Sequence, residues 1–282
     1  MLARLHRIAR CIRRLPGLKD RTGLWDLLRG PYHCVLNLGG GVEIFPGEAV
    51  KCRIPAEYSG RDWETYEAPA VRLAADWARR YQNGLFLDIG SSVGFFSTAV
   101  LFANPAAETI AFDSDLASLA TTRRFCRFAA GTPQLVYGFV TASGSGKTLD
   151  QALRQTRAAL TAAKPSGSPG TTRYVCVEDP GTDDIPRNTL DDLFMAEPEN
   201  DRPLLIKCDV EGAELLVLRG AVGLLSRCRP VLLLSVHPAA LPQHGHSKDD
   251  VIALLRRLDY RVSTVSVDHE EHWWCTPGPI AS

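Results

Sequence analysis

Residues 85–97 read L-F-L-D-I-G-S-S-V-G-F-F-S, and the reading of that stretch decides the fold. Leu85, Phe86, Leu87 and Ile89 make a strand-sized apolar run, as expected of a parallel strand covered on both faces. The run delivers one carboxylate, Asp88, straight into a turn in which Gly90 and Gly94 bracket Ser91 and Ser92; an amphipathic run then begins at Phe95. A buried strand feeding a tight turn and a helix N-terminus makes a ligand seat. Glycines let the backbone approach the ligand, and the orphan N–H groups of the first helical turn favour negative charge. An ordinary strand-to-helix turn shares the pattern D-x-G-x-x-x-G, so the rest of the chain has to decide between them.

The chain outward from this stretch alternates. A helical spacing over Trp63–Tyr81 stops near Asn83-Gly84, and a helix over Phe95–Phe102 follows the first strand. Thr109–Asp113 is a second strand, Leu116–Ala130 a helix and Leu135–Val140 a third strand. Residues 143–188 are rich in Ser, Gly, Pro and Thr around one helix (Leu149–Ala163) and read as a surface insertion. A short helix at Leu190–Met195, a fourth strand (Leu204–Asp209), a helix over Ala213–Ser226 and a fifth strand (Val231–Val236) follow. A last helix after Ser247 precedes strand-like pieces at Arg261–Val267 and His272–Cys275, close enough to form an antiparallel pair at the sheet edge. Alternation of this kind implies an α/β, doubly wound, mostly parallel sheet. Upstream, residues 2–15 spell a basic amphipathic helix, and 32–60 a small β-rich lead-in. The expected division is 1–62 for that N-terminal helix and lead-in, and 63–282 for the main domain.

Composition narrows the function. The 282 residues carry 32 basic and 32 acidic side chains, so the net charge is zero and no general nucleic-acid footprint is expected. The eight cysteines form no C-x-x-C pair, which leaves a zinc knuckle unsupported and suits a reduced, cytoplasmic setting. The longest apolar runs are strand-sized, so no integral membrane contact is expected. S-G-S-G-K-T at 143–148 imitates a phosphate loop, but Thr141 stands where that motif needs glycine.

In a doubly wound sheet the ligand sits at the carboxyl ends of the strands. Those ends are Asp88/Gly90, Asp113, Val140/Thr141, Asp209/Glu211 and Ser235/His237. Asp113, with Ser114 behind it, is spaced to accept both hydroxyls of a ribose; a helix cap from Ser114 or Asp115 is the competing reading. Lys207 and Asp209 alternate onto one side of their strand ahead of the Gly212 turn. His237 could act as a base, or be structural. His237, His244 and His246 sit in a loop setting without a supporting carboxylate pattern, so no metal site is expected. Trp63, Tyr66, Trp273 and Trp274 could line an acceptor pocket or belong to the core.

These residues also resemble a known family. The first stretch, A-F-D-S at 111–114, T-L-D-D-L at 189–193, L-I-K-C-D-V-E-G-A-E-L-L-V-L-R-G-A at 205–221 and R-P-V-L-L-L-S-V at 229–236 are similar to FkbM-family S-adenosylmethionine-dependent methyltransferases. The likeness spans about 85–265, and its most specific part is the I-K-x-D-V-E-G-A-E block. It implies a Rossmann-like class I methyltransferase fold with S-adenosyl-L-methionine as cofactor. Asp88, Gly90 and Gly94 would surround the methionine part and Asp113 would hold the ribose, with Ser91, Ser92, Phe95, Ser114, Thr141 and Asp209 completing the cofactor set. Asp209 and Glu211 would lie near the transferred methyl and act with His237 as the catalytic group. The acceptor would be a hydroxyl of a sugar or other small-molecule metabolite, with homo-oligomerisation left open. The chain departs from the family in Ser91-Ser92 for Ala-Asn, Asp113 for Glu and Ser235 for Glu. A catalytically silent binding module and a nicotinamide-dependent oxidoreductase or epimerase are the alternatives, the latter lacking its G-x-G-x-x-G.

Overall fold

The computed structural model describes residues 41–46, 50, 52–55, 58, 63, 65–129, 131–163, 184–195, 202–267 and 270–279. The expected helix at 2–15, and the whole segment 164–183 of the insertion, lie outside them.

Seven strands form the central sheet: β3 (Leu85–Ile89), β4 (Glu108–Asp113), β5 (Gln134–Tyr137), β8 (Leu204–Cys208), β9 (Val231–Val236), β10 (Tyr260–Val267) and β11 (Glu271–Pro277). Their order is β10-β11-β9-β8-β3-β4-β5; β9, β8, β3, β4 and β5 are parallel, and β11 and β10 run antiparallel at one edge. This is the α/β, mostly parallel sheet with an antiparallel edge that the alternation predicts. β3 and β8 are buried at every position because helices cover both faces.

Two apolar clusters record the two faces. Leu85, Leu87 and Ile89 face one side with Ile206, Leu232 and Leu234, beneath α6 (Glu214–Arg219), α7 (Val222–Cys228) and α8 (Lys248–Arg257). Phe86 faces the other with Leu205 and Leu233, beneath α1 (Ala68–Arg80), α2 (Phe95–Ala103) and α3 (Leu116–Cys126). The lead-in strands β1 (Gly41–Ile44) and β2 (Cys52–Pro55) pair antiparallel, and Ile44, Cys52 and Ile54 are buried in this second cluster.

The elements differ from the sequence reading at three places, each with a local cause. α1 starts at Ala68 rather than near Trp63: Glu67 adopts a left-handed conformation (φ 47°) ahead of Pro69, and Trp63 is buried before the helix begins. The third strand is broken into β5 and β6 (Phe139–Val140) at Gly138, whose φ of 134° is open mainly to glycine. β6 leaves the main sheet to pair with β7 (Arg187–Asn188), bounding the insertion that holds α4 (Leu149–Ala162) and preceding α5 (Leu190–Leu193). The helix expected over 213–226 is two, α6 and α7, interrupted at Gly220, where a Cβ would lie 2.0 Å from the Thr141 carbonyl oxygen. Cys52, Cys126, Cys208 and Cys275 are free thiols, and no helix among the described residues is long and apolar enough to cross a membrane.

Candidate active site at the strand ends

The turn after β3 is locked from three sides. Gly90 N and Ser91 N each donate to the Phe112 carbonyl at 3.0 Å, and Gly94 N donates to Ser91 O at 2.7 Å. Gly90 (φ 73°) packs so tightly on β8 that a Cβ would sit 1.7 Å from the Asp209 carbonyl oxygen. Gly94 (φ 78°) faces Thr122 of α3 in the same way, and Thr122 Oγ1 donates to Ser92 O at 3.1 Å.

Asp113 completes this turn from β4. Its Oδ2 accepts from Ser92 N at 2.8 Å and its Oδ1 from Asp115 N at 2.9 Å. Asp115, not Asp113, caps α3, accepting from Ala117 N and Ser118 N. Asp113 is half-buried, and burial pushes its carboxyl up to about 7 against the lowering pull of its two N–H donors. Phe95 looks elsewhere. Thr141 N donates to Asn188 O, and the Phe95 ring packs on Trp63 at 4.6 Å. Ser114 is half-buried beside Asp113.

Asp88 is wholly buried. Its Oδ2 accepts from Ser97 N (3.1 Å) and Ser97 Oγ (2.6 Å), which anchors the start of α2, and its Oδ1 lies 3.3 Å from Lys207 Nζ. Lys207 Nζ also donates to Gly90 O at 2.7 Å and lies 3.4 Å from Asp209 Oδ2. Burial opposes its charge, but Asp209, Asp88 and Glu67 outweigh that and hold the ammonium above its ordinary value. This pairing follows from register: Asp88 aligns with Lys207, and Lys207 with Leu233, on one face of the sheet.

His237 lies among four carboxylates. Its Nδ1 is 2.7 Å from Glu214 Oε1; its Nε2 is 2.5 Å from Glu270 Oε2, 3.4 Å from Glu211 Oε2 and 3.7 Å from Asp209 Oδ1. Burial works against the imidazolium, but the Glu214 and Glu270 contacts prevail and raise its pKa to about 11. Glu211 holds a left-handed backbone (φ 53°) ahead of Gly212, whose N–H donates to Glu214 Oε1 at 2.9 Å, and burial pushes the Glu211 carboxyl up. Behind these, Glu270 Oε1 is 3.3 Å from His272 Nε2, and Ser235 Oγ is 3.1 Å from His272 Nδ1. Glu67, at the start of α1, is 4% exposed; burial and then Asp209 raise its carboxyl to about 8.

The sequence reading misses Glu67, Glu214, Glu270 and His272. Glu214 sits in the quoted E-G-A-E run, so its place was available. Glu270 and His272 arrive through the pairing of β11 on β9, which aligns His272 with Ser235. His244 and His246 belong to neither group of convergent ligand atoms found among the described residues. The four aromatics do not make one pocket: Trp63, Tyr66 and Trp274 pack with the Phe86 face, and Trp273 with the opposite one.

The family model described as "Methyltransferase FkbM domain" matches residues 88–262. No curated protein matches the chain. Among solved structures, a methyltransferase FkbM from Methylobacillus flagellatus KT is 15% identical, with a TM-score of 0.44 over 75% of this chain and 59% of that one. A precorrin-6y C5,15-methyltransferase from Geobacter metallireducens GS-15 is 14% identical (TM-score 0.41; 74% of this chain, 87% of that one). The O-methyltransferase TomG of Streptomyces achromogenes, solved with SAM, is also 14% identical (TM-score 0.40; 75% and 81%).

Proposed function

The chain belongs to the FkbM methyltransferase family, and we propose that it uses S-adenosylmethionine to methylate a hydroxyl oxygen of a small molecule. One observation carries the reading: the ends of β3, β4 and β8 bring the Gly90–Gly94 turn, the Asp113 carboxylate and Asp209 into a single lip at the edge the fold reserves for ligands.

The residues fit the cofactor. Asp113 keeps acceptor capacity beyond its two N–H donors, enough for the paired hydroxyls of a ribose. The Gly90–Gly94 turn, with Ser91 and Ser92, would take the methionine part, and Ser114 and Thr141 would border the nucleoside. Asp88 and Phe95 serve this set from inside, fixing the turn and α2 rather than touching the ligand. When bound, S-adenosylmethionine supplies an electrophilic methyl group.

This chain's residues do the rest. Asp209 is the partly exposed carboxylate at the lip, held by Lys207, and accepts the proton of the acceptor hydroxyl as its oxygen becomes nucleophilic. Glu211, half-exposed on its strained turn, orients the acceptor. Both ring nitrogens of His237 already face carboxylates, so it holds the lip in shape, and Asp209 is the better-placed base. Holding donor and acceptor in line supplies most of the acceleration.

The test is transfer of labelled methyl to a panel of hydroxylated sugars and secondary metabolites. Asp209→Asn is expected to lower kcat about 10²–10⁴-fold with little change in KM. A near-normal kcat in that variant contradicts the assignment.

A further inference from the structure

We infer that Asp209, Glu211 and His237 form a binding site for one divalent first-row transition-metal cation at the acceptor side of the lip. Donor atoms of Asp209, Glu211 and His237 all lie within 4.8 Å of one another. A cation with bonds of about 2.0–2.2 Å keeps neighbouring donors about 3.0–3.5 Å apart. The separations of 3.4 Å (His237 Nε2 to Glu211) and 3.7 Å (His237 Nε2 to Asp209) therefore need only slight closure.

Two observations point to a ligand beyond the clustering itself. First, His237 Nε2, on a side chain 8% exposed, makes no hydrogen bond although three carboxylates surround it. Glu270 Oε2 is near, at 2.5 Å, but off the line along which the ring would donate. Nδ1 is meanwhile committed to Glu214, a buried carboxylate that turns Nε2 toward Asp209 and Glu211, as partners behind metal-binding histidines do. Second, the Glu67 Oε2 atom is buried without a hydrogen-bond partner, and a Glu67 oxygen lies within 4.8 Å of ligand atoms of Glu270 and His272. Glu270 thus stands between two groups of donors.

Charge favours the same occupant. Among the described residues, Glu67, Asp209, Glu211, Glu214 and Glu270 crowd a pocket that also holds the Lys207 ammonium and the His237 and His272 imidazoles, and Lys207 is shared with Asp88. A proton on Nε2 satisfies one carboxylate along one direction, whereas a cation satisfies Asp209 and Glu211 together. One imidazole nitrogen among carboxylates suits Mn²⁺, Fe²⁺ or Zn²⁺ better than Mg²⁺ or Ca²⁺, which prefer all-oxygen sites.

Binding stands on these residues alone. What the cation does there, holding the acceptor's hydroxyl and easing its ionisation, rests on the methyltransferase reading.

The experiment is titration of tag-free, chelator-stripped protein with MnCl₂, following the resonance of free Mn²⁺, with S-adenosylhomocysteine calorimetry on the same samples. One Mn²⁺ per chain is expected. Glu211→Gln and His237→Gln should each weaken it at least about tenfold. Glu211 is half-exposed and tolerates substitution, so its variant decides if the His237 one fails to fold. Wild-type protein that binds S-adenosylhomocysteine but leaves Mn²⁺ free overturns the inference and leaves the methyltransferase reading standing. Equal Mn²⁺ affinity in wild type and Glu211→Gln also overturns it. Mn²⁺ binding without S-adenosylhomocysteine binding supports the inference and counts against the cofactor reading alone.

Discussion

Replacing Lys207 by Met removes the cation that Asp88 and Asp209 share, and leaves Asp88 fully inside with no counter-charge. Breaking a buried pair from one side costs about 3–5 kcal/mol, so guanidinium unfolding should show a loss of that size; a loss under about 1 kcal/mol, the value of an exposed pair, would mean the ammonium is not needed. Asp113 makes a different prediction. Only its ionised form accepts two hydroxyls, and burial raises its pKa to about 7, so at lower pH much of it carries a proton. Affinity for S-adenosylhomocysteine should therefore rise about tenfold between about pH 6 and pH 8, and Asp113→Asn should bind weakly with no such slope. Asp113 could be read from the sequence because a strand end fixes where a side chain points. Glu270 and His272 could not, since nothing local encodes which strand β11 will pair with or in what register.

Elements were legible where period and punctuation agreed. β3, β4, β8 and β9 stand where their apolar runs predict, and the antiparallel edge follows from the short link between the last two strands. Breaks caused by distant backbone were invisible. Gly220 interrupts a helical pattern because the Thr141 carbonyl presses against it from the other side of the insertion. Gly220→Ala is expected to cost about 1–3 kcal/mol as those segments are forced apart, measured by thermal unfolding; unchanged stability would show that the contact yields freely. Trp63 carries a comparable lesson. It lies before α1 rather than in it, fills the space between Phe95 and Phe125, and donates Nε1–H to Tyr58 O. Trp63→Ala should cost about 3–5 kcal/mol, because a wholly buried ring leaves a cavity beneath the lead-in strands.

At the scale of the molecule, the doubly wound sheet turns a set of separate strand ends into one lip. The same parity that buries Phe86, Leu205 and Leu233 places Asp88, Lys207, Ser235 and His272 on one face, leading polar groups from the core toward the lip. In the proposed reaction such a frame would hold the cofactor on one side and the acceptor on the other, each positioned by backbone. The most direct test is calorimetric titration of the full chain with S-adenosylhomocysteine. Micromolar binding of one molecule per chain, weakened at least about tenfold in Asp113→Ala by loss of the ribose contacts, is the expected result. A folded wild-type sample that takes up no S-adenosylhomocysteine would contradict the account.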